Sequence, residues 1–248
     1  MVIENENDLE ELKKIGRIVA LAREEMIKYI KPGITTAELD AMGEKILTQY
    51  GAHSAPKSEY DFPGTTCISI NDVAAHGIPG KRAIKEGDLV NIDISAELNG
   101  YFADTGISIP VEPVASVGKR LCDCSKSAFF KGIEKAKAGA KINQIGRAIY
   151  NEAKRNGFTV IKDLTGHGIG KKLHDDPQYI PNYFNKSIDG LLANGVVLAV
   201  ETFISTKAER VYEEDDGWTL RTTDGSLVAQ YEHTIIVTQG EPIILTML

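Results

Sequence analysis

Two apolar runs in this chain end in an acid. Gly87 opens GDLVNID and Gly195 opens GVVLAVE, so Asp93 and Glu201 each stand six residues beyond a glycine. Runs of that composition read as buried strands, where an unpaired carboxylate costs several kcal/mol unless it is neutralised or paired. Two further acids lie on strand-like stretches, Asp104 in ADTGISI and Glu232 in YEHTIIV, and two histidines sit among glycines, His76 in AHGIPG and His167 in GHGIG. Alone, each has a plain reading as a solvated strand acid or a turn histidine. Their order, histidine then acid then acid, occurs twice, and that makes them a set. Packed about a pseudo-two-fold axis, such stretches would gather two histidines and four carboxylates, a cluster that needs a counterion. Oxygen-rich donors with imidazole suit manganese, iron(II), cobalt or magnesium better than a structural zinc. With so many oxygens able to bridge, two ions about 3.5 Å apart fit the set.

The elements that must position these residues also recur. Leu9, Leu12, Ile15, Val19, Ala22 and Met26 step by three or four, the stripe of an amphipathic helix. In KPGITTAELDAMGEKILTQYG, Thr35 and Glu38 have capping-box spacing and Gly51 is placed to end the helix. The segment KAGAKINQIGRAIYNEAKRNG, starting at Lys137, echoes it, with Lys, Gly and the closing Gly at matching offsets. The stretch LVNIDISAELNGYFADTGISI reads as a hairpin about Asn99-Gly100. A four-residue loop would set Asp93 opposite Asp104, a two-residue turn would make them diagonal neighbours, and both registers keep them on one face.

The chain has 248 residues, 42% apolar and 25% charged, and a formal net charge of -7. We expect one domain over 1–248, with internal halves near 1–110 and 111–248. The acidic balance argues against a specific nucleic-acid face or an anionic-membrane surface. An acidic N-terminal segment and the lack of any apolar run near 20 residues lead to the expectation of a cytoplasmic protein without a membrane partner. Cys67, Cys122 and Cys124 cannot all pair, and C-D-C lacks zinc-knuckle spacing, so they read as reduced thiols. A monomer is expected.

The stretches AHGIPG, NIDISAELNGYFADTG, LTGHGIGKKLHDDP, AVETF and AQYEHTIIV, in this order and spacing, resemble the methionine aminopeptidases of the compact bacterial type I, and the likeness spans nearly the whole chain. The resemblance implies an α+β pita-bread fold: pseudo-two-fold duplicated halves, with a curved antiparallel sheet covered by helices. It makes Asp93, Asp104, His167, Glu201 and Glu232 the ligands of two divalent ions (Mn, Fe(II) or Co, with Zn and Mg as further candidates). Duplication alone nominates His76 as a sixth ligand; the resemblance instead places His76 against the substrate, and His174, from GKKLHDDP, on the substrate carbonyl. The implied reaction removes the initiator methionine from nascent polypeptides, favouring small second residues, through hydroxide generated at the metal pair, with Glu201 carrying the proton. The implied partners are nascent N-termini, with a transient ribosome contact.

The same resemblance points to Phe62, Cys67 and Trp218 for the methionine pocket, whose soft apolar walls suit a thioether. It also implies a monovalent cation held near Asn71, Val73 and Val228. Two departures stand out: Thr202 follows Glu201 where many relatives have proline, which is expected to loosen a turn, and Tyr60 stands where some relatives place a pocket histidine. A relative that cleaves Xaa-Pro bonds would carry a large extra N-terminal domain, for which this chain leaves no room. A metal-free binding module would not need all five ligand positions.

Overall fold

The computed structural model describes residues 1–248. In chain order, α1 (Glu6–Tyr29) and α2 (Thr36–Gln49) precede a two-residue β1 (His53–Ser54), the short α3 (Ala55–Tyr60), β2 (Cys67–Ile70), β3 (Val73–Ala75) and a long hairpin of β4 (Leu89–Leu98) and β5 (Tyr101–Pro110). The second half runs α4 (Ser116–Ile133), α5 (Asn143–Arg155), β6 (Thr159–Val160), β7 (Thr165–Gly168), β8 (Asp175–Pro181) and β9 (Val197–Ser205). A ribbon of β10 (Val211–Glu213) and β11 (Leu220–Thr222), the long β12 (Val228–Ile236) and β13 (Ile243–Ile244) complete it.

Local chemistry sets the boundaries of these elements. Asn5 caps α1 by accepting from the Asp8 amide, and Thr35 and Glu38 form the expected capping box on α2. Asn99 and Gly100 both have positive φ, 54° and 78°, as a type I′ turn requires. The loop is therefore two residues long, Leu98 faces Tyr101, and Asp93 and Asp104 become diagonal neighbours, opposite Gly106 and Ser95 respectively.

All these strands join a ten-stranded antiparallel sheet along the path β1-β4-β5-β12-β9-β7-β8, with β2 on β4, β6 on β9 and β13 on β12, except β3, β10 and β11, which form a separate three-stranded sheet. The expected duplication is visible here: β5 and β12 meet at the centre, β4 and β9 flank them, and β2 and β7 follow. One core lies where α1 and α2 cover β4, through Leu12, Ile15, Ile92 and Ile94, and another where α4 and α5 cover β9 and β12, through Phe129, Ile145, Val200 and Ile235. Because side chains alternate along a strand, the residues between these apolar ones point to the other face. That face receives Asp93, Asp104, Glu201 and Glu232. No helix is long and apolar enough to cross a membrane.

The central β5–β12 seam has a single ladder pair, Tyr231 with Ile107. Side-chain hydroxyls do the rest of the joining. Thr234 Oγ1 accepts from Asp104 N at 2.9 Å and donates to Asp104 O at 2.8 Å, Thr105 Oγ1 donates to Glu232 O at 2.9 Å, and Ser108 Oγ accepts from Gln230 N at 2.8 Å. Phe129 backs this seam, fully buried against Tyr231 and His233 with ring centroids at 5.3 Å to each. Phe129→Ala is therefore expected to lower unfolding free energy by about 3–5 kcal/mol in a urea titration. A loss below about 1 kcal/mol would show that the seam does not depend on this packing.

Candidate metal centre and active site

Each of the four acids reaches the shared face from a different strand, Asp93 from β4, Asp104 from β5, Glu201 from β9 and Glu232 from β12, and Glu201 and Glu232 are directly paired across the β9–β12 ladder. His167 joins them from β7, beside Ala199 of β9. Its flanking glycines are required by close approach: a Cβ at Gly166 would lie 2.5 Å from Ala199 O, and one at Gly168 would lie 2.2 Å from Asp176 O. Donor atoms of Asp104, His167 and Glu232 all lie within 4.8 Å of one another.

The electrostatics of this cluster are those of an acid site in need of cations. Burial, then the charges of neighbouring acids, holds Asp104, Glu201 and Glu232 well above the ordinary carboxylate range. Burial also pushes Asp93 up to about 6, against the opposing pull of hydrogen bonds from Gln230 and Asp104. His167 is driven down to about 3 by burial and by nearby His174, so it is a neutral imidazole. Its Nδ1 lies 2.9 Å from Gly168 O, which places the proton on Nδ1 and leaves the Nε2 lone pair facing the cluster, 3.8 Å from Glu201 Oε1. Asp104 Oδ1 and Glu232 Oε1 are buried without any hydrogen-bond partner. Orphaned oxygens of that kind fit divalent cations, since a buried anion without a donor is otherwise too costly to keep. The buried carboxylate and histidine cluster thus has the make-up of a divalent metal site.

Two residues that motif reading passed over complete the arrangement. Gln230, only 2% exposed, donates through Nε2 to Asp93 Oδ2 (3.1 Å), Glu201 Oε2 (3.2 Å) and Glu232 Oε2 (3.1 Å), while its Oε1 accepts from Asn91 Nδ2 at 2.7 Å. Gly106 makes room for it, because a Cβ there would come within 2.3 Å of Gln230 Oε1. Arg23, on the core stripe of α1 and 4% exposed, hydrogen-bonds Thr105 Oγ1 and contributes a charge that favours ionised Glu232. The period-two alternation through Gln230, Glu232 and Thr234, and an arginine on an apolar helix face, were the sequence signals for these two.

A cavity of about 520 Å³ opens over the cluster, lined by Asp93, Asp104, His167, Glu201 and Glu232 together with His76, His174, Phe62, Cys67 and Trp218. His76 follows β3 with φ of 55°, a conformation that non-glycine residues adopt rarely and that concentrates at functional sites. β3 pairs with β11, which brings His76 close to the segment carrying Trp218. Phe62 packs edge-on against Trp218 with centroids 5.1 Å apart at 84°. Cys67 sits opposite Asp93 in the β2–β4 ladder, and burial raises its thiol pKa, so it stays protonated. Val228 N donates to Asn71 O at 2.9 Å, leaving one lone pair of that carbonyl unused, and Val73 lies two residues further on in β3.

Two expectations change. The repeated HGI does not pair His76 with His167, because the strand matching β7 is β2, where Ser69 occupies the register position of His167. Seven residues beyond Ser69 stands His76, and seven beyond His167 stands His174, so the duplication pairs the two cavity histidines with each other. Thr202 loosens no turn: it is fully buried inside β9, and its hydroxyl bonds Ser125 Oγ at 2.7 Å, tying the sheet to α4.

The chain belongs to metallopeptidase family M24, whose model matches residues 10–239. Within that class it is similar to methionine aminopeptidase 2 of Bacillus subtilis (strain 168), 57% identical over 100% of both chains. The crystal structure of a methionine aminopeptidase from Thermotoga maritima superimposes with a TM-score of 0.96 at 34% identity, covering 100% of each chain, so the expected pita-bread fold is the fold observed. A prolidase from Pyrococcus furiosus shares the fold alone, with a TM-score of 0.78 at 22% identity, covering 100% of this chain and 66% of that one.

The metal-free protein should register the strain of the cluster. An Asp93 carboxyl that titrates near 6 when folded and near 4 when unfolded binds its proton more tightly in the folded state. Its contribution to stability is complete below about pH 4 and is lost as the pH rises through 6. Metal-free Asp93→Asn should therefore gain stability relative to metal-free wild type between pH 4 and 7, by up to about 3 kcal/mol. Parallel stability profiles in denaturant titrations would contradict the assignment.

Proposed function

We propose that this chain removes the N-terminal methionine from nascent proteins and peptides in the cytoplasm, favouring small second residues, at a site where Asp93, Asp104, His167, Glu201 and Glu232 hold two divalent ions. The observation that carries the reading is the convergence of buried Asp104, Glu201 and Glu232, half-buried Asp93 and the Nε2 of His167 beneath a cavity, with two of the carboxylate oxygens orphaned. Ions held there supply Lewis acidity, which brings the ionisation of water and the polarisation of a peptide carbonyl into the neutral range.

The residues of the chain divide the remaining work. Glu201, beside His167 and restrained through Oε2 by Gln230, is placed to carry a proton from the nucleophile to the leaving amine. His76 and His174 line the cavity as donors to the substrate carbonyl and the charge that develops on it. Phe62, Trp218 and the protonated thiol of Cys67 offer apolar, polarisable walls for a thioether. Exposed Tyr60 and Tyr179, together with Trp218, crowd the same cavity, which supports a small second residue. Asn71, Val73 and Val228 are proposed to hold a monovalent cation through backbone carbonyls beside the site.

Initial rates on Met-Ala-Ser and on an Xaa-Pro peptide, with and without added manganese or cobalt, test this reading. Metal-dependent release of methionine with no Xaa-Pro cleavage is expected, and no release under any metal would overturn it. Asp104→Ala and Glu232→Ala should each lower turnover by about 10³-fold, the several kcal/mol supplied by a metal at a transition state. Near-normal activity of Asp104→Ala with full metal loading would remove that residue from the site.

A further inference from the structure

Tyr60 and His174 come from opposite halves of the chain and meet across the cavity. The phenol oxygen lies 2.6 Å from His174 Nδ1, and the two rings stack edge to face with centroids 5.4 Å apart at 60°. Both line the same cavity as the acid cluster, and the His174 ring sits 4.2 Å from that of His167. The short hydrogen bond thus occupies Nδ1 of His174 and leaves Nε2 for another partner.

Tyr60 is well held for such a role. It is the last residue of α3, whose start is capped by Ser54 Oγ and whose end is closed by Asp61 in a left-handed conformation (φ 58°). Asp61 N and Phe62 N donate to Lys57 O and Pro56 O at 3.2 and 3.1 Å, and Phe62 is then wedged against Trp218. The backbone on both sides of Tyr60 is thus fixed, although the residue remains 44% exposed.

We propose that Tyr60 is a positioning residue that donates to His174 Nδ1, fixing the imidazole tautomer so that Nε2 carries the proton and presents a donor to the substrate. This rests on the peptide-cleaving reading of the site. A neutral imidazole has one N–H, and which nitrogen holds it is set by the bond made at the other. An ordinary phenol keeps its proton to about pH 10, whereas an ordinary imidazolium has already lost one of its two near about pH 6.5. The proton in their bond therefore stays on the phenol oxygen, which is the donor. A lone pair at Nε2 would repel a developing oxyanion, whereas an N–H stabilises it. Tyr60 consequently governs His174 without touching the reacting atoms.

Two measurements on the zinc-loaded holoenzyme and its manganese-loaded counterpart test this. In zinc-loaded wild type labelled with 15N-histidine, His174 should show a pyridine-like Nδ1 and a pyrrole-like Nε2. In Tyr60→Phe the Nδ1 resonance should shift as its donor is lost. On Met-Ala-Ser the manganese-loaded Tyr60→Phe should lose about fivefold in kcat, the scale of one hydrogen bond, with KM within about twofold of wild type. The thermal midpoint should be unchanged, because the substitution keeps the ring and removes only the hydroxyl of a residue that is 44% exposed. A proton on Nδ1 in the wild type, or a Tyr60→Phe enzyme with unaltered nitrogen shifts and kcat, would overturn the proposal. A loss of kcat accompanied by an equal fall in thermal midpoint would assign Tyr60 a structural role and overturn it as well. If the wild type released no methionine, the proposed activity would fail, while its nitrogen shifts would still decide the tautomer.

Discussion

Four carboxylates brought out of water onto one face of a sheet repel one another, and little in this protein offsets that repulsion from within. The available protein groups are the Gln230 amide, shared among Asp93, Glu201 and Glu232, and the buried guanidinium of Arg23 behind Glu232. Neither supplies enough positive charge for four anions in a low-dielectric setting, and burial, joined at Asp104, Glu201 and Glu232 by the charges of neighbouring acids, raises the proton affinity of all four. The site is stable as a set of anions only with cations in place, which is the physical content of calling it a metal centre.

The rest of the architecture serves to enforce this unfavourable juxtaposition. Two separate apolar cores clamp the halves of the sheet from behind, and the tight Asn99-Gly100 turn locks Asp93 and Asp104 onto the open face. At the central seam, threonine and serine hydroxyls replace most of the backbone ladder between β5 and β12, and Gly106 leaves the space that Gln230 fills. Rigidity in the supporting strands is what a metal site needs, since ligands displaced by a fraction of an ångström lose both geometry and affinity.

Much of this was legible in the chain because period and order survive in sequence. The apolar stripe of α1, the capping box of α2, the hairpin and the glycine-to-acid spacing of β4 and β9 all follow local rules and appear where those rules put them. The symmetry of the histidines was not legible, since the shared HGI tripeptide suggests one alignment while the strand registers impose another, with His76 matched to His174. For Gln230 and Arg23 local period gives only the face each occupies; their partners, reached from β12 to β4 and from α1 to β5, are set by long-range contact. The hydroxyl of Tyr60 likewise finds His174 only through the tertiary fold.

Proton release on metal binding addresses the central claim most directly. Burial raises the proton affinity of the acids in the metal-free cluster, and protons they hold have to leave when a cation takes the same oxygens. Calorimetric titration of manganese into metal-free protein at pH 6.5, repeated in buffers of different ionisation enthalpy, reads both the stoichiometry and the number of protons expelled. The account predicts two ions per chain with net release of protons. Binding without proton release, or no binding at all, would contradict it.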